Sequence, residues 1–404
     1  MQNVIVARPY RFVPPRHGTL WWRALRPFLA GHLRRSAGVT AVECRGGERL
    51  RASLDAGHGV MLAPNHCRPC DPIVLGALSY AVDRPFYIIA SWHAFLLSRL
   101  QGFLLPRLGA FSLYREGSDR ESLKTAMQLT AEARRPLVVF PEGVISRHND
   151  RLNHLMEGTA LMARGAARQR AAANPPGRVV VHPVALRYLF EGDVHATVRP
   201  VLREIEHRLT WRPQEGLSTE ERIARIGGAL LALKEVEYFG AAQPGPIAER
   251  LARLIDRILV PLEQEWVKGR REHDIVGRVK LLRFAIVPEL AAGTLPEAEV
   301  QRRWRHLADL YLAQQLSCYP PDYLSDAPTP ERLLETVERY EEDLTDRVRA
   351  HPPLRAIVEV GTAIEVTPDR ARGAEGDPLM TAIREQLESM LARSARPRLA
   401  SIPP

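Results

Sequence analysis

Gly59-Val60-Met61-Leu62-Ala63-Pro64-Asn65-His66-Cys67-Arg68-Pro69-Cys70-Asp71-Pro72 decides how this chain is read. Its first five residues are apolar without a break, as in a strand buried on both faces. Pro64-Asn65-His66 then reads as an exposed loop, so His66 is expected at a strand's end. Open α/β sheets place their ligand crevices there. If the chain turns into a helix at Asp71-Pro72, the carboxylate folds back against the imidazole. A carboxylate on one ring nitrogen fixes the tautomer and raises the basicity of the other, which can then take a proton from a hydroxyl. Such a dyad needs no nucleophilic Ser or Cys, but a His and an Asp at this spacing are common by chance.

Three further segments share the build. Leu108-Gly109-Ala110-Phe111-Ser112-Leu113-Tyr114-Arg115 ends an apolar stretch with one arginine. Pro136-Leu137-Val138-Val139-Phe140-Pro141-Glu142-Gly143 is an apolar run leading into a Pro-Glu-Gly loop, and Val179-Val180-Val181-His182-Pro183-Val184-Ala185-Leu186 is a third, interrupted by Pro183. In this order, over about 120 residues, the four segments resemble the motifs of the glycerolipid acyltransferase family, which includes the 1-acyl-glycerol-3-phosphate acyltransferases. The family's pattern is Asn-His-four residues-Asp, then Gly-x-Phe-x-x-x-Arg, then Phe-Pro-Glu-Gly, then an apolar strand with Pro.

The resemblance implies that His66 is the general base toward an acceptor hydroxyl and that Asp71 orients it. The alkoxide then attacks an acyl thioester directly, without an acyl-enzyme. It also implies that Glu142 and the Gly143 backbone hold the acceptor's polar head and that Arg115 meets phosphate or another anion, a match of arginine fork to phosphate geometry. Asn65 is expected to fix the loop through side-chain to backbone bonds. The donor is an acyl-CoA or acyl-carrier-protein thioester acting as co-substrate; no other cofactor and no metal are expected. One departure stands out: Phe-Pro-Glu-Gly-Thr-Arg-Ser is replaced by Phe140-Pro141-Glu142-Gly143-Val144-Ile145-Ser146-Arg147. Ile145 occupies the place of an arginine, and Arg147 replaces it only if the loop re-aims its side chain. A lysophospholipid acceptor is thereby favoured over glycerol-3-phosphate, which remains the alternative beside a catalytically inactive lipid-binding relative.

Cys67-Arg68-Pro69-Cys70 also admits a thioredoxin-like redox pair or half a zinc site with His66. Cys44 and Cys318 are isolated in sequence, no second C-x-x-C exists and no Trp precedes the pair. Structural filling is therefore the favoured reading.

The 404 residues suffice for a full core and more than one structural unit. Four cysteines do not make a disulfide framework and fit a reducing cytosol. Abundant arginine and alanine beside only four lysines fit a GC-rich bacterial genome. Nine arginines against Glu43 and Glu48 in residues 1–50 account for +7 of the net charge of +9. Leu20-Trp21-Trp22-Arg23-Ala24-Leu25-Arg26, with Arg16, Arg34 and Arg35 nearby, has the composition of an interfacial helix on an anionic membrane. An amphipathic helix packed on its own domain is the other reading; no nucleic-acid-binding motif accompanies the charge. Neither a transmembrane span nor a signal peptide is read in the sequence, so a cytoplasmic protein peripheral on the inner face of the cell membrane is expected. Residues 93–107 are too interrupted to span, and their apolar face is expected to touch lipid, cover an acyl tunnel or join the core.

Strands at 39–46, 59–66, 86–90, 110–114, 136–142 and 179–186 alternate with helices at 50–56, 72–81, 92–105, 119–134 and 157–170. This alternation predicts an α/β fold with a largely parallel sheet flanked by helices. Residues 201–211 are ambiguous. Helices are expected at 220–238, 247–268, 277–284, 297–315 and 331–350, a strand at 354–366 and a last helix at 379–392. The expected organisation is a basic amphipathic membrane-facing segment at 1–35, an acyltransferase core at 36–204 and 351–404, and an α-helical insertion at 205–350. An independent trailing helical module is the other reading of 205–350; a membrane lid, a dimer interface and a carrier-protein docking surface all fit the insertion.

Overall fold

A computed structural model describes residues 8–324, 328–369 and 376–394. Residues 1–7 of the basic segment, 325–327, 370–375 and 395–404 lie outside the described residues. The chain forms two compact units, one of Tyr10–Glu191 with Pro352–Ala395, the other built on Gly192–His351.

In the first unit, α1 (Leu20–Leu25) and α2 (Leu29–Ala37), joined by a 3-10 turn at Arg26–Phe28, precede β1 (Val39–Arg45). Then follow α3 (Gly47–Asp55), β2 (Gly59–Pro64), α4 (Asp71–Ala81), β3 (Tyr87–Ser91), α5 (Arg99–Arg107), β4 (Ala110–Leu113), α6 (Arg120–Ala131), β5 (Leu137–Val138), α7 (Gly158–Ala171) and β6 (Val179–Phe190). The second unit supplies α8 (Val194–Arg208), α9 (Thr219–Phe239), α10 (Ile247–Val267), α11 (Ile275–Ala292), α12 (Glu297–Leu316) and α13 (Pro330–Thr345). The chain then returns to the first unit as β7 (Leu354–Val360), β8 (Ile364–Glu365) and α14 (Pro378–Arg393).

The sheet runs β1-β7-β6-β2-β5-β3-β4, with β8 also on β6. All pairings are parallel except β6 with β7 and β6 with β8, so the largely parallel α/β sheet expected from the alternation is the one observed. β2 and β6 are buried at every position, which is why they read as unbroken apolar runs. On β6, Val179, Val181 and Ala185 pack with Leu129 of α6, Ala163 of α7 and Ile383 of α14. His182 and Tyr188 point the other way, toward Ser53 of α3 and Asp71 of α4. The edge at β4 is covered by the N-terminal segment, where the Ser112 N–H donates to the Val13 carbonyl at 2.8–3.0 Å together with the Val13 N–H to Ser112 Oγ.

Several boundaries differ from the sequence reading. β5 is only Leu137–Val138, because after the Val139 N–H bonds the Leu62 carbonyl at 2.9 Å the chain leaves the ladder at Phe140-Pro141. The strand expected over 354–366 is split by Gly361, whose N–H turns to the Pro183 carbonyl at 2.7 Å. Residues 92–105 become a 3-10 turn at Trp92–Phe95 followed by α5, which Ser98 caps through the Gln101 N–H. The tryptophan pair also divides. Trp22 is buried, donating Nε1–H to Ser79 Oγ at 2.9 Å and stacking 5.0 Å from Tyr80, whereas Trp21 packs edge-on against Phe103 of α5 at 5.4 Å. Trp22 therefore belongs to the protein's own core.

Helical structure in the second unit begins at Val194, capped by Asp193 through the Ala196 N–H, and the chain leaves the first unit at Glu191 rather than at 205. The ambiguous 201–211 stretch is the end of α8 and its exit turn. The helix expected at 277–284 runs on to Ala292 despite Pro288, and α13 stops at Thr345, where Asp346 takes a left-handed conformation. Leu254, Leu259, Leu282, Ile286, Leu307 and Leu310 form this unit's core. A recurring corner ties successive helices. Glu206 of α8 holds Arg222 of α9, Glu235 of α9 holds Arg250 of α10, and Glu263 of α10 holds Arg278 of α11, each through two hydrogen bonds. The three arginines are 28 residues apart within Glu-Arg-Ile, Glu-Arg-Leu and Gly-Arg-Val, so the same corner recurs at nearly fixed spacing.

Candidate active site

Parallel strands leave their C-terminal ends on one edge of a sheet, and the segment after β2 opens there. Asp71 is the first residue of α4, followed by Pro72, so its carboxylate sits at a helix N-terminus, where backbone N–H groups favour negative charge. His66 Nδ1 lies 2.8 Å from Asp71 Oδ2. A carboxylate only accepts, so Nδ1 carries the proton and Nε2 keeps its lone pair. The ring stacks on Phe140 at 4.0 Å between centroids, and its side chain is 14% exposed while Asp71 is fully buried. The dyad thus presents one basic nitrogen from a rigid setting.

Asp71 is fixed from several sides. Oδ2 also accepts the Arg68 N–H at 2.9 Å, and Oδ1 accepts the Tyr188 hydroxyl at 2.5 Å. Cys67 Sγ lies 3.9 Å from Oδ1, and Cys70 Sγ lies 3.5 Å from the Tyr188 oxygen. Burial, then the Asp71 charge, pushes the Cys70 thiol up to about 11, the reverse of what a redox nucleophile needs. Among the described residues no group of three or more His, Cys, Asp or Glu side chains is placed to hold a metal ion.

Asn65 is buried and gives both ends of its amide to β6: Nδ2–H donates to the Leu186 carbonyl at 3.0 Å and Oδ1 accepts the Leu186 N–H at 2.7 Å. Asn149 does the same for Tyr188 at 2.6 Å each way. β2 ends at Pro64 opposite Val184, so these two amides continue the ladder along β6 where the strand stops. Asn65 therefore fixes the loop through side-chain to backbone bonds at both ends of its amide.

The Pro141-Glu142-Gly143 turn closes over the same loop. Glu142 is 1% exposed; Oε1 accepts the His66 N–H at 2.7 Å and Oε2 accepts the Asn153 N–H at 3.1 Å. Burial raises its pKa to about 7 against the pull of those two N–H groups. Both oxygens are aimed at the protein's own backbone, so the geometry gives Glu142 the part of holding His66 and not that of meeting an acceptor's head group. Gly143 has φ +68°, and a Cβ there would lie 2.4 Å from Met156 Sδ, so only glycine fits. Ser146 completes the closure, its N–H donating to the His66 carbonyl at 2.7 Å. Beyond it Val144, Ser146 and His148 are buried while Ile145 and Arg147 are partly exposed, Arg147 with φ +63°.

Arg115 follows β4 and is partly buried; burial lowers the proton affinity of its guanidinium, with Glu116 opposing. Tyr188 and Asn149 join this site with no motif in the sequence to mark them. Phe140 belongs to the Phe-Pro-Glu-Gly motif, whereas Tyr188 and Asn149 are joined to the loop only by the fold.

No curated protein and no solved structure matches the chain. The acyltransferase family model matches residues 41–187, which span β1 to β6 and include His66, Asp71, Arg115, Glu142 and Tyr188. Residues 41–187 are thus similar to the acyltransferase family that includes the 1-acyl-glycerol-3-phosphate acyltransferases.

Proposed function

We propose that the protein moves a fatty acyl group from an acyl-CoA or acyl-carrier-protein thioester to a hydroxyl of a glycerolipid or lysophospholipid, in phospholipid biosynthesis or remodelling. The observation that carries this reading is the 2.8 Å bond from His66 Nδ1 to Asp71, which leaves Nε2 as the base. Nε2 takes the acceptor's hydroxyl proton as its oxygen attacks the thioester carbonyl. The tetrahedral intermediate then expels the thiolate, which receives that proton from the imidazolium. No covalent acyl-enzyme forms.

Arg115 is the acceptor's anion contact in this proposal, since a partly desolvated guanidinium gains from a phosphate oxygen. Ile145 removes a second cation from the loop, and Arg147, two residues on, is partly exposed. A phosphate monoester carries close to two charges near neutral pH, a phosphodiester one, so lysophosphodiesters are the expected acceptors. Thioester consumption measured across lysophosphodiesters, 1-acyl-glycerol-3-phosphate and glycerol-3-phosphate tests this. Equal or better turnover of the monoesters rejects the acceptor assignment, and no turnover of any of them favours an inactive lipid-binding relative.

The lipid substrate calls for a membrane surface, and none of the described helices is long and apolar enough to cross one. Peripheral attachment is proposed instead. Leu20, Leu97, Leu100 and Phe103 are 73%, 47%, 65% and 41% exposed around the Trp21–Phe103 contact of α1 and α5. Arg16, Arg23, Arg26 and Arg99 are exposed near these residues in the chain. Each basic side chain near an anionic leaflet contributes about 1 kcal/mol, screened over about 10 Å at 0.1 M salt. Sedimentation with anionic vesicles is expected to weaken as salt rises and to weaken further in Leu100→Ser/Phe103→Ser. Unchanged binding in that variant moves the membrane contact away from α1 and α5.

A further inference from the structure

The carboxylate of the dyad ends at a phenol. Tyr188 is fully buried on β6. Asn149 clamps its backbone at both polar atoms, and the Arg68 guanidinium covers its ring at 5.4 Å. Its hydroxyl reaches Asp71 Oδ1 at 2.5 Å, the oxygen opposite the one that accepts the His66 Nδ1–H bond. We propose that Tyr188 is a positioning residue of acyl transfer, holding Asp71 in the one orientation that keeps His66 Nε2 free as the base. The proposal rests on the acyl-transfer reading of the dyad.

The physical argument begins with the freedom of an aspartate. Its terminal torsion is broad and roughly two-fold, so a single hydrogen bond to His66 does not fix the carboxylate plane. The Arg68 N–H and His66 Nδ1–H both act on Oδ2. Cys67 Sγ, 3.9 Å away, is at most a weak donor to Oδ1. The Tyr188 hydroxyl is thus the strong donor to Oδ1. Burial, then the Asp71 charge, holds the phenol's pKa well above its ordinary value, so it remains a donor throughout the range in which an acyltransferase works. The C-x-x-C pair finds a place in the same arrangement, both side chains buried, Cys67 near Asp71 and Cys70 near Tyr188, with burial holding the Cys70 thiol protonated.

Tyr188→Phe keeps the ring and removes only the donor. The expected result is a fall in kcat of about 10-fold or more with KM for donor and acceptor within about two-fold, as for an interaction that matters only in the transition state. The 15N spectrum of the His66 ring, taken without substrate, is expected to show one Nδ1–H tautomer in the wild-type protein and a mixture in the variant. Cys70→Ala opens space behind the phenol without touching its bond to Asp71, and its loss of kcat is expected to be smaller. Wild-type kcat with a single tautomer in Tyr188→Phe overturns the proposal, as does an equal loss in Cys70→Ala, which would mean packing alone. If Tyr188→Phe does not fold, a tautomer mixture in the wild-type protein overturns it. Failure of the acyl-transfer reading is a different outcome: the wild-type protein turns over no thioester while the ring spectra still differ.

Discussion

His66→Ala is expected to lower acyl transfer by about 10²–10⁴-fold, the usual contribution of a positioned general base, while the protein stays folded. The removed ring leaves Asp71 with the Arg68 N–H and the Tyr188 hydroxyl, so no buried carboxylate is stranded. The His66 backbone is still held by Glu142 through its N–H and by Ser146 through its carbonyl. Asp71→Asn is the complementary case. Its amide would turn a donor toward either the Tyr188 hydroxyl or the groups on Oδ2, and an unsatisfied buried polar group costs about 1–3 kcal/mol. It should therefore lose both activity and stability. Thioester consumption and thermal unfolding on the same preparations decide this, and near-normal turnover by folded His66→Ala rejects the dyad as the base.

Glu142→Gln carries the second large effect. The carboxylate accepts two backbone N–H groups, from His66 and Asn153; an amide can accept only one of them, leaving a buried N–H without a partner at about 1–3 kcal/mol. Loss of the His66 bond also loosens the base. A fall in kcat of about 10-fold or more is expected, since misplacement by about 1 Å can cost 10²-fold, with little change in the acceptor's KM. Had Glu142 held the acceptor's head, the rise in KM would dominate. Stability against pH gives an independent reading. Burial lifts the folded-state pKa to about 7 from an ordinary 4.5, so the folded protein binds the proton more tightly than the unfolded chain. The resulting stabilisation is fully present below about pH 4.5 and is lost as pH rises through about 7. Denaturant midpoints of Glu142→Gln should show a flatter slope than wild type across that window.

The parts of this molecule legible in sequence are those set by local pattern. Val60-Met61-Leu62-Ala63 and Val179-Val180-Val181 announce parallel strands because both of their faces are covered. Asp71 falls at a helix start five residues after a histidine, so the dyad follows from short-range geometry. What escaped depends on pairing between distant segments. β7 enters between β1 and β6, and Tyr188 meets Asp71 across 117 residues. Trp21 and Trp22 look equivalent in sequence, yet Ser79 and Tyr80 take only Trp22 into the core. Glu142 looked like a substrate ligand because nothing local shows that the His66 and Asn153 N–H groups claim its oxygens. The 28-residue spacing of Arg222, Arg250 and Arg278 is a different case, for it is visible in the chain while the glutamates that pair with them are shown only by the fold.

The neck between β6 and β7 has a consequence for how this chain can vary. The Glu191 N–H donates to the Pro353 carbonyl at 2.9 Å, so the whole excursion of Gly192–His351 leaves and re-enters the sheet at one hydrogen-bonded rung. To the sheet that excursion is a closed loop, whatever folds inside it. Loop-closure entropy grows as (3/2)RT ln n, about 0.6 kcal/mol per doubling of length. Shortening or lengthening the excursion by the 28 residues that separate successive corner arginines therefore changes the closure term by only about 0.2 kcal/mol. The length of the helical excursion is thus nearly invisible to the sheet, which meets only the rung where it closes.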